Sequence, residues 1–333
     1  MKPISILAAG CFLALAGAAA AQDTPTLTVY TYDSFVTEWG PGPQVEAAFE
    51  ETCGCDLEFV AAGDGAALLA RVRLEGARSD ADVVLGLDTN LMAAAAETGL
   101  FAPHGQDAPA FDLPVTWDDP TFLPYDWGYF AFVYDETRTG DAPASFRELI
   151  ADEDLKVVIQ DPRSSTPGLG LLLWVKHAYG DEAGTIWEAL APRILTVTKG
   201  WSEAYGMFLE GEADMALSYT TSPAYHLIAE EDPTKAAALF EEGHYMQVEV
   251  AGKLAGTDQP ELADAFLAFM TSDRFQSVIP TTNWMYPAVT PDSGLPEGFE
   301  TLATPDKALL FPPEEAAAIR DAALNEWRDA LSR

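Results

Sequence analysis

The strongest constraint on the fold of this chain is a regular handover from short apolar runs to helical stretches. Residues 27–32 read as a strand, and Pro41-Gly42-Pro43 opens a helix through Glu50, proline being harmless in a first turn. A second strand at 56–61 leads to a helix at 66–74, and Asp82-Val83-Val84-Leu85-Gly86 reads as an apolar strand covered on both faces. The pattern continues with an aromatic-rich extended stretch at 122–134, a strand at 156–160 and an apolar helix at 169–179. Strands at 194–198 and 215–219 then alternate with helices at 202–209 and 223–230. Such alternation predicts mainly parallel sheets covered by helices. Beyond about residue 250 helices take over. Leu262, Phe266 and Met270 form one apolar face over 260–270, a short helix covers 273–278, and an Ala- and Glu-rich helix spans 313–331. With no internal repeat and no low-complexity linker, the natural fit is two lobes joined by extended crossings.

The N-terminus reads as an export leader, residues 1–21. Lys2 supplies the positive end, residues 4–15 the apolar stretch, and Ala18-Ala19-Ala20-Ala21 the small-residue cleavage site. Cys11 after Ala9-Gly10 offers a lipoprotein reading, but the leader before it is short, and simple cleavage after Ala21 ranks above it. The apolar run falls short of the roughly 20 residues of a membrane span. The 333 residues carry 18 basic and 53 acidic side chains, a net charge of −35. That balance argues against nucleic acid or anionic lipid as a partner and suits a solvated exported protein. After processing only Cys53 and Cys55 remain, a candidate disulfide across Gly54 in an oxidising compartment. The four histidines are scattered and make no ligand-spaced cluster.

No Walker loop and no Gly-x-Ser-x-Gly elbow occurs, and Gly168-Leu169-Gly170 lacks the third glycine of a dinucleotide fingerprint. These absences favour binding over catalysis. The distinctive chemistry lies where strands meet helices, the edge at which α/β proteins hold ligands. Lys199-Gly200-Trp201-Ser202-Glu203-Ala204-Tyr205 and Leu217-Ser218-Tyr219-Thr220-Thr221-Ser222-Pro223-Ala224-Tyr225 set rings beside hydroxyls. Flat π faces of this kind suit a planar, partly cationic ligand. Ser165 and Thr166 stand at a helix start, where free N–H groups favour oxygen-rich groups, although plain capping explains them equally well.

These segments, with Tyr30 to Phe35, Trp39 to Pro43, Asp82 to Asp88, Gln160 to Leu173 and Asn283-Trp284-Met285-Tyr286-Pro287, resemble periplasmic thiamine-binding proteins, the receptors of thiamine ABC importers. The resemblance covers essentially the whole mature chain. It implies an α/β fold of the type II solute-binding class: two lobes, each a mixed, mainly parallel sheet flanked by helices, with ligand in the cleft between them. On that basis the lobes divide as 22–125, 126–248 and 249–305, with a C-terminal helical segment at 306–333 of open lobe assignment. The implied ligand is thiamine, or its monophosphate or diphosphate, delivered to a membrane permease and its ATPase, with no cofactor, by a monomer. By matched motif the contacts fall to Asp64, Gly65, Ser165, Thr166, Trp201, Tyr219, Thr220, Thr221 and Ser222, with Trp284 as a further cleft aromatic. Tyr32 and Asp33 are secondary candidates. Trp201, Tyr219 and Trp284 would face the thiazolium, a permanent cation without an N–H, with Asp64 or Asp33 as counter-charge. Tyr205 and Tyr225 sit at core-facing positions and read as packing. The alternatives are a receptor for ferric ion or another small cation, and a thiaminase-like transferase, which requires a reactive cysteine.

Overall fold

The computed structural model describes residues 24–107 and 109–332, so the expected leader with Cys11 and the Ala21 cleavage point lies outside the described residues. The strands that carry the architecture are β1 Thr26–Thr31, β2 Asp56–Ala61, β3 Val83–Asp88, β4 Phe122–Asp135, β5 Val157–Gln160, β6 Ile194–Thr198, β7 Met215–Tyr219, β8 Lys235–Ala237 and β9 His244–Lys253. They run in the order β2-β1-β3-β9-β4-β7-β5-β6, with β8 on β4. β1 pairs in parallel with β2 and β3, and β5 in parallel with β6 and β7. The two long strands, β4 and β9, are antiparallel to each other and to β3, β7 and β8.

β4 joins the two lobes because it changes partner along its length. Residues 122–129 pair with β9, and residues 130–134 pair with β7. β9 is the second crossing: it starts where the His244 imidazole meets the Phe130 carbonyl (Nδ1 to O, 2.8 Å) and ends beside Val83. The sequence reading anticipated β4 but no strand over 244–253. Gln247, Glu249 and Gly252 interrupt the apolar run there, and only pairing on both sides makes the stretch a fully enclosed strand. The helices Phe146–Ala151 and Ala183–Leu190 were also not anticipated. The first is announced by Ser145, whose hydroxyl accepts the Glu148 N–H at 3.1 Å.

One apolar core runs from the first lobe (Leu68, Val84, Leu91) into the second (Phe132, Phe146, Trp174), and two smaller clusters lie on either side of it. In the first lobe, Phe49 packs edge-on against Phe266 with ring centroids 5.2 Å apart, and the face expected for residues 260–270 is buried at Phe266 and Met270. Fully burying a side chain of that size stabilises the fold by roughly 1.5–3 kcal/mol. The C-terminal helix Pro313–Leu331 packs on the helix Thr166–Tyr179, where Lys176 and Glu326 pair at 2.8 Å. It also reaches the short helix Met92–Ala96. Among the described residues no helix is long and apolar enough to cross a membrane.

Two glycines set the cleft geometry. Gly86 has φ +105°, and a Cβ there would lie 2.2 Å from the Tyr32 ring, so its absence lets that ring lie flat on β3. A Cβ on Gly65 would lie 2.5 Å from Thr166 Oγ1, across the interlobe gap. Cys53 and Cys55 are joined by a disulfide around Gly54, at the amino end of β2 and so remote from the edge carrying Asp64.

Candidate functional site

The carboxyl ends of the parallel strands in both lobes converge on one cavity of about 520 Å³. From the first lobe, the turn after β1 contributes Tyr32, Ser34 and Trp39, and the end of β2 contributes Asp64 and Gly65. From the second, Thr166 follows β5, Trp201 and Tyr205 follow β6, and Tyr219, Ser222 and Tyr225 follow β7. Asn283, Trp284 and Met285 close one side, and Glu249 of β9 forms part of the floor. Among the described residues the lining contains two carboxylates, Asp64 and Glu249, but no Lys, Arg or His.

The rings are held by hydrogen bonds and by one another. Trp201 stacks on Tyr205 (5.0 Å, 20°) and donates its indole N–H to Ser218 Oγ at 2.8 Å. Tyr205 is fixed in turn by His226 Nε2 at 2.9 Å. Tyr219 lies against Phe130, and its hydroxyl accepts from Gln247 Nε2 at 3.1 Å. Trp284 meets Tyr225 edge-on at 5.5 Å. Its backbone has φ +56°, a left-handed conformation costly for a bulky residue, and its N–H donates to the Ile279 carbonyl at 3.0 Å. Trp39, 54% exposed, faces Trp201 from the opposite lobe at 6.3 Å.

The lobes touch beside these rings. Gly65 N–H donates to Thr166 Oγ1 at 3.2 Å, and Ala67 N–H to the Ser164 carbonyl at 3.0 Å. Asp64 precedes the helix Gly65–Glu75, yet its carboxylate accepts the N–H of Trp201, first residue of a helix in the other lobe, at 3.1 Å. Burial pushes its carboxyl up to about 6, against the opposing pull of that N–H.

The floor is acidic. Glu249 accepts from the Tyr125 hydroxyl and from Gln247 Nε2 at 3.0 Å. Asp126 accepts from Asn283 Nδ2 at 2.6 Å, and its other oxygen is buried with no hydrogen-bond partner among the described residues. Burial raises Glu249 to about 7 and, with repulsion from Glu249, carries Asp126 well above the usual carboxylate range. Tyr32 OH donates to Asn283 Oδ1 at 3.1 Å, linking the wall to this floor.

Of the residues nominated from sequence, Tyr32, Asp64, Gly65, Thr166, Trp201, Tyr219, Ser222 and Trp284 line the cavity. Ser165, Thr220 and Thr221 are fully buried and do not line it; Thr221 Oγ1 donates to Met285 Sδ at 3.6 Å. Asp33 is exposed and holds the Gly63 N–H at 2.8 Å, a turn contact. Sequence reasoning missed Trp39, Asn283, Met285 and Glu249, and assigned Tyr205 and Tyr225 to packing alone. Both do pack, and both also face the cavity. Glu249 had a signal: Gln247 and Glu249 alternate with Met246, Val248 and Val250, which places two polar groups on one face of an apolar strand.

Two α/β lobes joined by crossing strands, with a lined cavity between them, define a bivalve binding protein. The family model of the bacterial extracellular solute-binding proteins matches residues 34–277, and the chain belongs to that family. It is 56% identical over 310 residues to the thiamine-binding periplasmic protein of Escherichia coli (strain K12), covering 93% of this chain and 94% of that one. It is 51% identical to the protein of the same name from Brucella suis biovar 1 (strain 1330), over the full length of both. A solved periplasmic thiamin binding protein superposes with a TM-score of 0.91 at 56% identity, covering 94% of this chain and 98% of that one.

Proposed function

We infer that this chain is a periplasmic receptor that binds thiamine and presents it to the permease of an ABC importer. One observation carries the reading. The cavity between the lobes is walled by indole and phenol rings and floored by a carboxylate, with no basic side chain in its lining among the described residues. A thiazolium needs that environment, because ring faces attract a desolvated cation by about 0.5–2 kcal/mol each and it offers no N–H to ordinary acceptors. Relatives that share half or more of this sequence carry the same ligand in their names. The protein makes and breaks no bond, so it is a receptor and not an enzyme. Closure follows from ligand contacts with both lobes, which only the closed arrangement provides.

The finer parts of the reading are also proposals. The helices beginning at Gly65, Thr166 and Trp201 point their amino ends at the cleft, and such ends favour anions. That supports thiamine monophosphate and diphosphate as further ligands, the phosphate lying beside Thr166. The receptor acts as a monomer without a cofactor, and the importer's ATPase completes the transport system. A thiaminase-like transferase is disfavoured because Cys53 and Cys55 are bonded to each other and stand away from the cavity. A ferric receptor is disfavoured because Tyr219 and Tyr225 are not adjacent, and no metal-holding group of His, Cys, Asp or Glu occurs among the described residues.

The test is a titration of the mature protein with thiamine and both phosphates, followed by tryptophan fluorescence. Saturable quenching at sub-micromolar thiamine supports the reading, and nanomolar binding corresponds to about −12 kcal/mol. A flat signal, with no heat on calorimetric titration, overturns it.

A further inference from the structure

The carboxylate at the back of the cleft, Glu249, has no cation beside it among the described residues. In the antiparallel pairing Glu249 stands opposite Asp88 on β3 and opposite Asp126 on β4. Three carboxylates in register across adjacent strands is an arrangement that sheets avoid, since like charges directly opposite weaken the pairing. Asp88 is held by Asn90 Nδ2 at 2.7 Å and feels the positive charge of Arg320. The hydrogen-bond partners of Glu249 and Asp126 are all neutral: Tyr125, Gln247 and Asn283. The titratable groups facing Glu249 are Asp88 from β3, Tyr125 and Asp126 from β4, Tyr32 from the turn after β1 and Tyr219 from β7. None of these is a cation. A neutral amide would make similar hydrogen bonds without the several kcal/mol that burying an unpaired carboxylate costs.

The rest of the lining does not take on this task. Asp64, the other carboxylate in the cavity wall, is engaged by the Trp201 N–H across the interlobe contact. Glu249 differs in position as well as in partners. It sits on a crossing strand, so it stays at the floor when the walls swing apart, and it is available to an entering ligand before closure.

We propose that Glu249, backed by Asp126, sets the charge selectivity of the cleft by serving as counter-ion to the ligand's permanent positive charge. The proposal rests on the thiamine reading and deepens it, because it assigns discrimination against a neutral ligand of the same shape to a residue outside the aromatic walls. The elevated proton affinity of Glu249 agrees with an ion awaiting a partner.

The experiment compares thiamine with 3-deazathiamine, in which a neutral thiophene replaces the thiazolium, for the wild type, Glu249→Gln and Asp126→Asn. Wild type is expected to prefer thiamine by about 30-fold or more. Glu249→Gln is expected to lose about 30-fold or more in thiamine affinity, the scale for removing one partner of a buried charge pair. The same variant should bind the neutral analogue as well as wild type does, so the preference collapses toward unity. Retained binding of the analogue also reports an intact cleft, which separates loss of the counter-ion from misfolding. Asp126→Asn should narrow the preference by a smaller factor. A preference that survives Glu249→Gln unchanged overturns the proposal, and so does a wild type that binds both compounds equally; in either case the thiamine reading stands. Wild type that binds neither compound overturns that reading and this proposal with it.

Discussion

The walls and the floor of the cleft are built by different means. The walls are loops and helix starts at the carboxyl ends of strands in two lobes, and their rings contact each other through exposed or half-buried faces such as Trp39 against Trp201. The floor is sheet: β4 and β9 run through it, and its polar groups are buried and bonded chiefly to one another, with Glu249 reaching the cavity. Walls must part to admit a ligand, so their mutual contacts have to be weak. The floor stays in place, and can therefore hold charges at fixed positions whose electrostatic imbalance the ligand corrects.

Among the wall residues the largest effect should come from Trp201. Trp201→Ala removes a ring face together with its stack on Tyr205, and should weaken thiamine binding by about 10- to 100-fold while thermal unfolding changes little. Calorimetric titration and a melting curve check this. Intact binding in a protein that melts far lower would make Trp201 a core residue and break the contrast.

Next comes pH, which the floor should govern. Glu249, raised to about 7, and Asp126, raised well above the usual carboxylate range, hold protons in the folded protein that the unfolded chain releases at lower pH. Their contribution to the stability of the empty protein is therefore full below about pH 4.5 and is lost as pH rises through about 7. Ligand affinity should run the other way. A cation favours the ionised floor, so affinity is full above about pH 7 and falls toward tenfold per unit below it if one proton is displaced. Melting temperature and affinity measured between pH 5 and pH 8 should thus change in opposite directions. Parallel changes would mean that the floor does not feel the ligand's charge.

A smaller effect should come from Asp64→Asn, which keeps an acceptor for the Trp201 N–H and loses only the charge. Affinity should fall by about fivefold, the difference between a charged and a neutral hydrogen bond. A loss as large as that at Glu249 would move the counter-ion from the floor to the wall. The smallest effect on binding should follow reduction of the Cys53–Cys55 bond, which leaves affinity within about twofold and lowers stability by about 1–2 kcal/mol, as such a short loop allows. Thiol titration and melting curves with and without reductant measure it.

The walls were largely legible in the sequence because local motifs carry them. A glycine or proline beside an aromatic ring, placed where a strand gives way to a helix, is readable over about ten residues, which is how Trp201 and Tyr219 stand out; Trp284 comes from the family resemblance of the Asn283 to Pro287 motif. Thr220 and Thr221 show the limit of that method. They share the motif with Tyr219, but the turn buries both side chains, Thr221 against Met285. Tyr205 and Tyr225 show the reverse, since helical spacing assigns a residue to the packed face without revealing that this face ends at a cavity.

The amino-acid order alone determined the alternation of strands and helices, the acidic character of the protein and the aromatic content of the ligand-facing turns. All of these depend on neighbours within one or two turns of chain. What only the tertiary structure decided is the floor. Asp88, Asp126 and Glu249 come from distant parts of the chain and become neighbours through the register of three strands. Burial then strips their water, and a carboxylate that is unremarkable in an unfolded chain becomes a charge in need of a partner.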